Sequence, residues 1–258
     1  MKKEATVIIQ ARMGSERLPG KVLKKIKKDW IALELLVQRL KNSASINNII
    51  IATTNQYEDD EIVNFCIDKK IQYFRGPEDD VVERFKLTAN YFQASDIVRI
   101  SGDCPFTDWG MLDKLVNLYF EHNADFVTNM YKKTFPLGFA IEVFKLEKLL
   151  EFKNLDKNEK EHVTTRFINN SESYRFLSIE KSNNLSEYRM TLDTEEDYQV
   201  IKKIAESFTD INFTFEDIEN LIYSKPNFLN INREIQQKSN YQKNESGKVR
   251  SIIYEEIS

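Results

Sequence analysis

The stretch VIIQARMGSERLPGKVLKKI, residues 7–26, decides the fold. Val7, Ile8 and Ile9 form an unbroken apolar run, as expected of a strand buried on both faces. The chain then changes character at once. Arg12, Gly14, Ser15, Arg17, Gly20 and Lys21 put three cations and two glycines into ten residues. Glycines let a backbone approach a ligand closely and cations neutralise charge, so such a loop directly after a strand suits a phosphate chain. The spacing is not that of a Walker A loop, because Gly14 precedes Gly20 by six positions and Lys21 is followed by Val22. It also lacks G-x-G-x-x-G, which disfavours a dinucleotide oxidoreductase. Singly, each cation reads as a solvated surface residue; together with the glycines they read as a phosphate site.

Outward from this loop, apolar runs alternate with amphipathic ones. WIALELLVQRL has helical spacing at Ile31, Leu35, Leu36 and Leu40, with Asp29 as its expected N-cap. NNIIIATT, IQYFRG, DIVRIS and ADFVTNM read as strands. YEDDEIVNFCIDK, DDVVERFKLTANYFQA and WGMLDKLVNLYFEH read as helices, the first with an acidic opening turn that suits the helix dipole. This βαβ rhythm runs to about residue 130 and predicts an α/β fold, a Rossmann-like, mostly parallel sheet flanked by helices. Ligands in such sheets sit beyond the carboxyl ends of the strands. The opening loop, the end of IIIATT and the GDCPFTD loop all fall on that edge.

After residue 130 the rhythm changes. FPLGFAIEVFKLEKLLEF reads as an extended segment entering a helix, and DKNEKEHVTTRFINN as a polar helix. YRFLSIEK and EYRMTL read as two strands of a small β excursion over residues 131–192, covering the active edge or pairing with a second subunit. Two helices, DTEEDYQVIKKIAESF and TFEDIENLIYS, close a single domain over residues 1–225. Residues 226–258 form a polar tail with the composition of a partly mobile segment.

Composition narrows the function classes. The 258 residues are 41% hydrophobic and 30% charged, enough for a sizeable core. A net charge of −4 from 37 basic and 41 acidic residues argues against a nucleic-acid binder. Two distant cysteines, Cys66 and Cys104, fit a reducing compartment. The apolar run near the start is too short for a signal peptide, and no stretch approaches the roughly 20 apolar residues of a membrane span. A soluble, cytoplasmic protein is expected, with no membrane partner. No His or Cys spacing suits zinc, and no Ser-His-Asp set is evident.

QARMGSERLPGKVL resembles the N-terminal signature R-x-G-S-x-R-L-P-x-K of the sugar-activating cytidylyltransferases, the CMP-sugar synthetase type. The resemblance is greatest to the branch typified by the spore coat polysaccharide biosynthesis protein F group. FRGPEDDVVERF, VRISGDCPFTD, FPLGFAIEV, EHVT and YRMTLDTEEDYQVI follow in family order, so the likeness spans residues 7 to about 201. It implies a fold of the nucleotide-diphospho-sugar transferase type. It also implies transfer of CMP from CTP to a small-molecule acceptor (a sugar acid, or a related hydroxyl, phosphate or phosphonate compound) with release of pyrophosphate. A homodimer, Mg2+ as cofactor, and a role in surface polysaccharide or glycan synthesis are further implications.

By the same resemblance, Ala11, Arg12, Gly14, Ser15, Arg17, Lys21 and Asp103 bind the nucleotide, and Arg12, Lys21 and Asp103 are catalytic. Asp103 and Asp193 are assigned to the metal, and Arg75, Arg84, Glu142 and His162 to the acceptor. Read from the residues alone, Asp103 also suits a turn, and Asp193 also suits an N-cap. Asp108 reads as a cap, Asp197 as a helix-start residue, and Cys104 as a small buried packing residue. Three positions depart from the family pattern: Glu16 adds an acid to the cationic loop, Leu137 replaces a polar residue near the acceptor, and Trp109 replaces a proline. Two other readings remain open. A nucleotide-sugar glycosyltransferase would be expected to carry an Asp-x-Asp pair, which GDCPFTD lacks; intact Arg12, Lys21, Asp103 and Asp193 argue against a non-catalytic nucleotide-binding homologue.

Overall fold

The structure, a computed structural model, describes residues 3–224, 226–235 and 249–257. Its strands are β1 (Ala5–Gln10), β2 (Lys25–Lys27), β3 (Trp30–Ile31), β4 (Ile46–Thr54), β5 (Gln72–Gly76), β6 (Asp96–Ser101), β7 (Phe126–Thr128), β8 (Glu142–Lys145), β9 (Phe176–Glu180) and β10 (Arg250–Ile253). The helices are α1 (Ala32–Leu40), α2 (Asp60–Lys69), α3 (Val81–Tyr91), α4 (Trp109–Glu121), α5 (Leu146–Leu150), α6 (Lys157–Glu161), α7 (Thr165–Asn169), α8 (Glu195–Glu206) and α9 (Phe215–Ser224).

Eight strands make one sheet in the order β10-β9-β7-β8-β6-β1-β4-β5, while β2 and β3 form a separate antiparallel pair. Among the described residues, only β8 runs against its neighbours in the large sheet, β6 and β7. The remaining pairs are parallel, so the expected α/β architecture is the one observed. β1 lies inside the sheet between β4 and β6, and Val7, Ile8 and Ile9 are fully buried. Their side chains alternate between two cores. Val7 and Ile9 pack with Leu36, Leu112, Ile201 and Ile218 on one face; Ile8 packs with Val82, Phe85, Leu149 and Phe167 on the other. Burying one such side chain stabilises the fold by about 2 kcal/mol. A strand that buries every side chain has no polar alternation, which is why its sequence reads as a continuous apolar run.

Several local expectations change. Trp30 and Ile31 form β3 rather than helix, because they pair with Lys25 and Lys27 and Trp30 stacks on Phe213; α1 then starts after Ile31, not after Asp29. The polar helix predicted over DKNEKEHVTTRFINN is two helices, α6 and α7, broken at His162–Thr164. The excursion over 131–192 does not stand apart from the sheet. β8 inserts between β6 and β7, and β9, buried at every position, pairs with β7. EYRMTL forms no strand; it meets the chain near Leu137 through a single bridge from Arg189.

The tail also joins the domain. Asn232 is buried and donates to the Arg189 carbonyl and the Asp197 carboxylate, at 2.9 and 2.8 Å. β10 adds to the sheet beside β9. The rest of the tail expected to be mobile, residues 236–248, lies outside the described residues. Among the described residues, no helix is long and apolar enough to cross a membrane.

Candidate active site

The cationic loop is held open by its own backbone. Gly20 sits in the left-handed region at φ 65°, which lets its N–H return to the Met13 carbonyl at 3.0 Å and start the short 3-10 turn Lys21–Leu23. Leu18 and Val22 are buried beneath it as anchors. From the 3-10 turn Tyr57–Asp59 before α2, the buried Asp59 carboxylate accepts the Met13 N–H at 2.6 Å and the Thr54 N–H at 2.9 Å. Asp59 was not singled out in the sequence; it lies in an acidic run whose helix-dipole reading masked it.

Lys21 points at the opposite wall. Its ammonium donates to Asp103 Oδ2 and, at 2.6 Å, to Asp193 Oδ1. Asp103 follows β6 and lies next to β1, because Gly102 N–H bonds the Gln10 carbonyl at 2.8 Å. The Asp193 segment is tied to it in turn: Leu192 N–H donates to the Asp103 carbonyl at 2.9 Å, and Thr191 Oγ1 at 3.2 Å. Thr194 caps α8 by accepting the Asp197 N–H at 3.2 Å, so Asp193 is not the cap and its carboxylate faces Lys21. Arg17 approaches Asp193 from the loop side at 3.6 Å. Burial alone would push Lys21 down, yet Asp103 and then Asp193 outweigh it and raise its pKa. Burial likewise opposes ionisation of Asp103, but Lys21 holds the carboxyl below the ordinary range. The pair of carboxylates offers the hard oxygen donors that suit a divalent ion such as Mg2+, which takes one or two carboxylates and fills its other positions with water and phosphate. Among the described residues, no group of three or more His, Cys, Asp and Glu could hold a metal.

Two adjoining cavities open on this cluster. The first, about 670 Å³, is lined by Ala11, Asp80, Arg84 and Lys160; the second, about 920 Å³, by Gly14, Ser15, Lys133, Leu137, Glu142 and Asp193. Arg12, Lys21, Asp103 and His162 line both. Arg12 is half-exposed and 3.9 Å from Glu78. Ala11 is buried, with its N–H on the Ala52 carbonyl at 3.2 Å.

The four residues assigned to the acceptor do not gather. Glu142 lines the second cavity, Arg84 the first, and His162 both. Arg75 lines neither: its guanidinium is spent on the Thr54 and Gln56 carbonyls and on Asp60, 2.5 Å away. Arg84 is buried, donates to the Pro77 carbonyl at 2.8 Å, and burial pushes its guanidinium down to about 10. Its Nε has no hydrogen-bond partner among the described residues. Burial also lowers the His162 imidazole below its ordinary value. Glu142 is buried, accepts from Arg99, and accepts Thr164 Oγ1 at 2.6 Å. Arg99 was missed, although a cation inside the apolar strand DIVRIS was a visible signal. Lys133 and Thr164 carried no such signal.

The remaining readings can be placed directly. Asp108 caps α4 through Met111 N–H at 2.7 Å, and Trp109 begins that helix over the buried Arg39 guanidinium. Asp197 sits in the first turn of α8, fully buried and paired with Arg189 at 2.8 Å. Cys104 is buried and its thiol is pushed up by that burial. Glu16 is exposed on the rim of the second cavity.

A cationic loop at the carboxyl edge of a mostly parallel sheet, facing two converging carboxylates, fits a nucleotidyltransferase. The chain belongs to the cytidylyltransferase family, which it matches over residues 6–247, and is a CTP-dependent nucleotidyltransferase. It is 36% identical over 206 residues to the spore coat polysaccharide biosynthesis protein SpsF of Bacillus subtilis, covering 76% of this chain and 84% of that one. It is also 36% identical over 236 residues to an uncharacterised protein of Methanocaldococcus jannaschii, covering 90% of this chain and 96% of the relative. A cytidylyltransferase structure from Leptospira borgpetersenii superposes with a TM-score of 0.84 at 31% identity, covering 92% of this chain and 99% of that one.

Proposed function

We propose that the protein transfers CMP from CTP to a sugar acid or a related hydroxyl, phosphate or phosphonate acceptor, releasing pyrophosphate, in surface polysaccharide or glycan synthesis. The observation that carries this reading is the convergence of Lys21, Asp103 and Asp193 where two cavities meet. A two-substrate transfer needs a room for each substrate and a charged centre between them. The first cavity, beside Ala11 and Arg84, suits the cytidine end; the second, beside Lys133, Leu137 and Glu142, suits the acceptor. The likeness to a polysaccharide biosynthesis protein supports the sugar-related acceptor.

The acceptor oxygen attacks the α-phosphorus in line. A new O–P bond forms as the bond to the bridging oxygen of the β-phosphate breaks; the electron pair leaves with pyrophosphate, and a hydroxyl acceptor gives up its proton to solvent. Arg12, Arg17 and Lys21 offset the charge that grows on that leaving group, and the Gly14 and Ser15 backbone brings donors close to it. Mg2+ held by Asp103 and Asp193 would withdraw charge from the phosphate oxygens. Preorganised charges of this kind act without reorganising when the transition state forms.

Pyrophosphate release from CTP, UTP, GTP and ATP, each with a panel of sugar acids and their phosphate analogues, tests this reading. The expected result is release from CTP alone and only with an acceptor present. Release of UDP or GDP from nucleotide sugars, or tight CTP binding without product across the panel, would overturn it.

A further inference from the structure

Lys21 stands between the two carboxylates read as the metal pair. One ammonium nitrogen bonds Asp103 Oδ2 and Asp193 Oδ1 at once, so the two carboxylates that could share a divalent ion instead share a side chain. Two ionised carboxylates left facing each other would repel. Their backbones are nevertheless fixed close together by the bonds from Leu192 N–H and Thr191 Oγ1 to the Asp103 carbonyl. The separation is therefore built into the fold, and Lys21 neutralises it. An ammonium has three donors, two of which are used here. It is also a flexible side chain on a short turn that lines both cavities, so phosphate oxygens arriving there would offer it other partners.

We propose that Lys21 is the positioning residue of the metal site: in the free enzyme it is an internal substitute for the divalent ion, and it yields that place when a triphosphate draws it away. This rests on the reading of Asp103 and Asp193 as the metal pair. An ion bridging the same two oxygens would meet the Lys21 ammonium, so the ion and Lys21 compete while triphosphate is absent. Once the ammonium has moved to phosphate, it no longer competes. Metal and nucleotide uptake are then coupled, and the coupling is reciprocal. The arrangement keeps the carboxylates spaced before the ion arrives and makes loading depend on nucleotide.

Mn2+ binding, followed by electron paramagnetic resonance on the full chain with no nucleotide and no acceptor, tests this without any turnover. Wild type is expected to bind Mn2+ weakly. Lys21→Met and Lys21→Gln, which remove the competing charge, are expected to bind it at least about tenfold more tightly. Lys21→Arg, which keeps a cation, should stay near wild type, a split that a merely structural role would not produce. The thermal midpoint gives a second reading: added Mn2+ should raise it more in the two neutral variants than in wild type. Equal Mn2+ affinities in wild type and both neutral variants, or no binding by any of them, would overturn the proposal. Acceptor-dependent pyrophosphate release by wild type would survive that outcome, whereas failure of the CTP reading would leave the Mn2+ results unchanged.

Discussion

Lys21 is the residue at which the cationic loop meets the two carboxylates. The sequence places it at the end of a glycine-containing cationic loop, and the fold sets it between two carboxylates from distant segments. If its charge stabilises the departing pyrophosphate, Lys21→Ala should lower turnover by a factor of about a hundred or more, the scale of a lost charge-stabilising donor. Steady-state pyrophosphate release measures this, and an unchanged rate would remove Lys21 from the chemistry. Arg12, Lys21, Asp103 and Asp193 stood out in the sequence because each sits in a local pattern, a loop after a strand or an acid at a strand end. Arg75 lay in an equally good motif, yet it turns back onto the Thr54 and Gln56 carbonyls and Asp60. Nothing local distinguishes a cation that faces a cavity from one that staples two strand ends. Arg99 and Glu142 pair across β6 and β8, a contact that exists only once the antiparallel strand has inserted.

At the scale of elements, two devices aim the site. The first is the start of α8, where the sequence alone also suited Asp193 to the cap. The bond from Leu192 N–H to the Asp103 carbonyl sets the register, Thr194 takes the cap, and Asp193 is released toward Lys21. Thr194→Ala should therefore destabilise the protein by about 1 kcal/mol in denaturant unfolding, the usual cost of a lost cap. Asp193→Asn should leave that stability nearly unchanged while turnover falls. Equal stability losses in the two variants would mean that both side chains serve the helix end. The second device is the turn before β8. Gly138 adopts φ 109°, and a Cβ there would lie 2.2 Å from the Met190 carbonyl oxygen. The approach closes a two-way bridge in which Leu137 N–H bonds the Tyr188 carbonyl at 3.0 Å and Met190 N–H bonds the Leu137 carbonyl at 2.7 Å. Strain and overlap together predict that Gly138→Ala costs at least about 2 kcal/mol. By moving Lys133 and Leu137 it should also raise the acceptor KM more than the CTP KM. Thermal unfolding and separate KM titrations check the two parts; a fully stable variant with both KM values unchanged would exclude this role for the turn.

At the scale of the whole molecule, the sequence conveyed most strands and helices but not how the later strands join the sheet. β1, β4, β5, β6 and β7 alternate with helices, and that rhythm is local. The insertion of β8 between β6 and β7 and the addition of β9 and β10 depend on pairings between distant segments, which short-range patterning does not encode. These late strands are held by charge as well as by apolar burial. Asp125, just before β7, accepts from the Arg175 N–H at 3.0 Å, Nε at 3.2 Å and Nη2 at 2.8 Å, while Lys145, at the end of β8, lies 3.2 Å away. One carboxylate thus ties the approaches to β7, β8 and β9. Burial alone would raise its pKa, but the Arg175 and Lys145 hydrogen bonds outweigh burial and hold it down to about 2. In the unfolded chain the group returns to its ordinary value of 3.8. Between those two values the unfolded state binds more protons than the folded one, so stability falls as pH drops through the window and is fully present above it. The Arg175 side chain is half-exposed, and solvent screening limits the contribution at neutral pH to about 1 kcal/mol. Asp125→Asn should lose that increment at pH 7 and show a shallower decline between pH 5 and 3 than wild type. Urea unfolding at pH 7, 5, 4 and 3 compares the two slopes. Parallel curves would mean that Asp125 titrates alike in both states, and the joint between the late strands would then rest on their apolar faces alone.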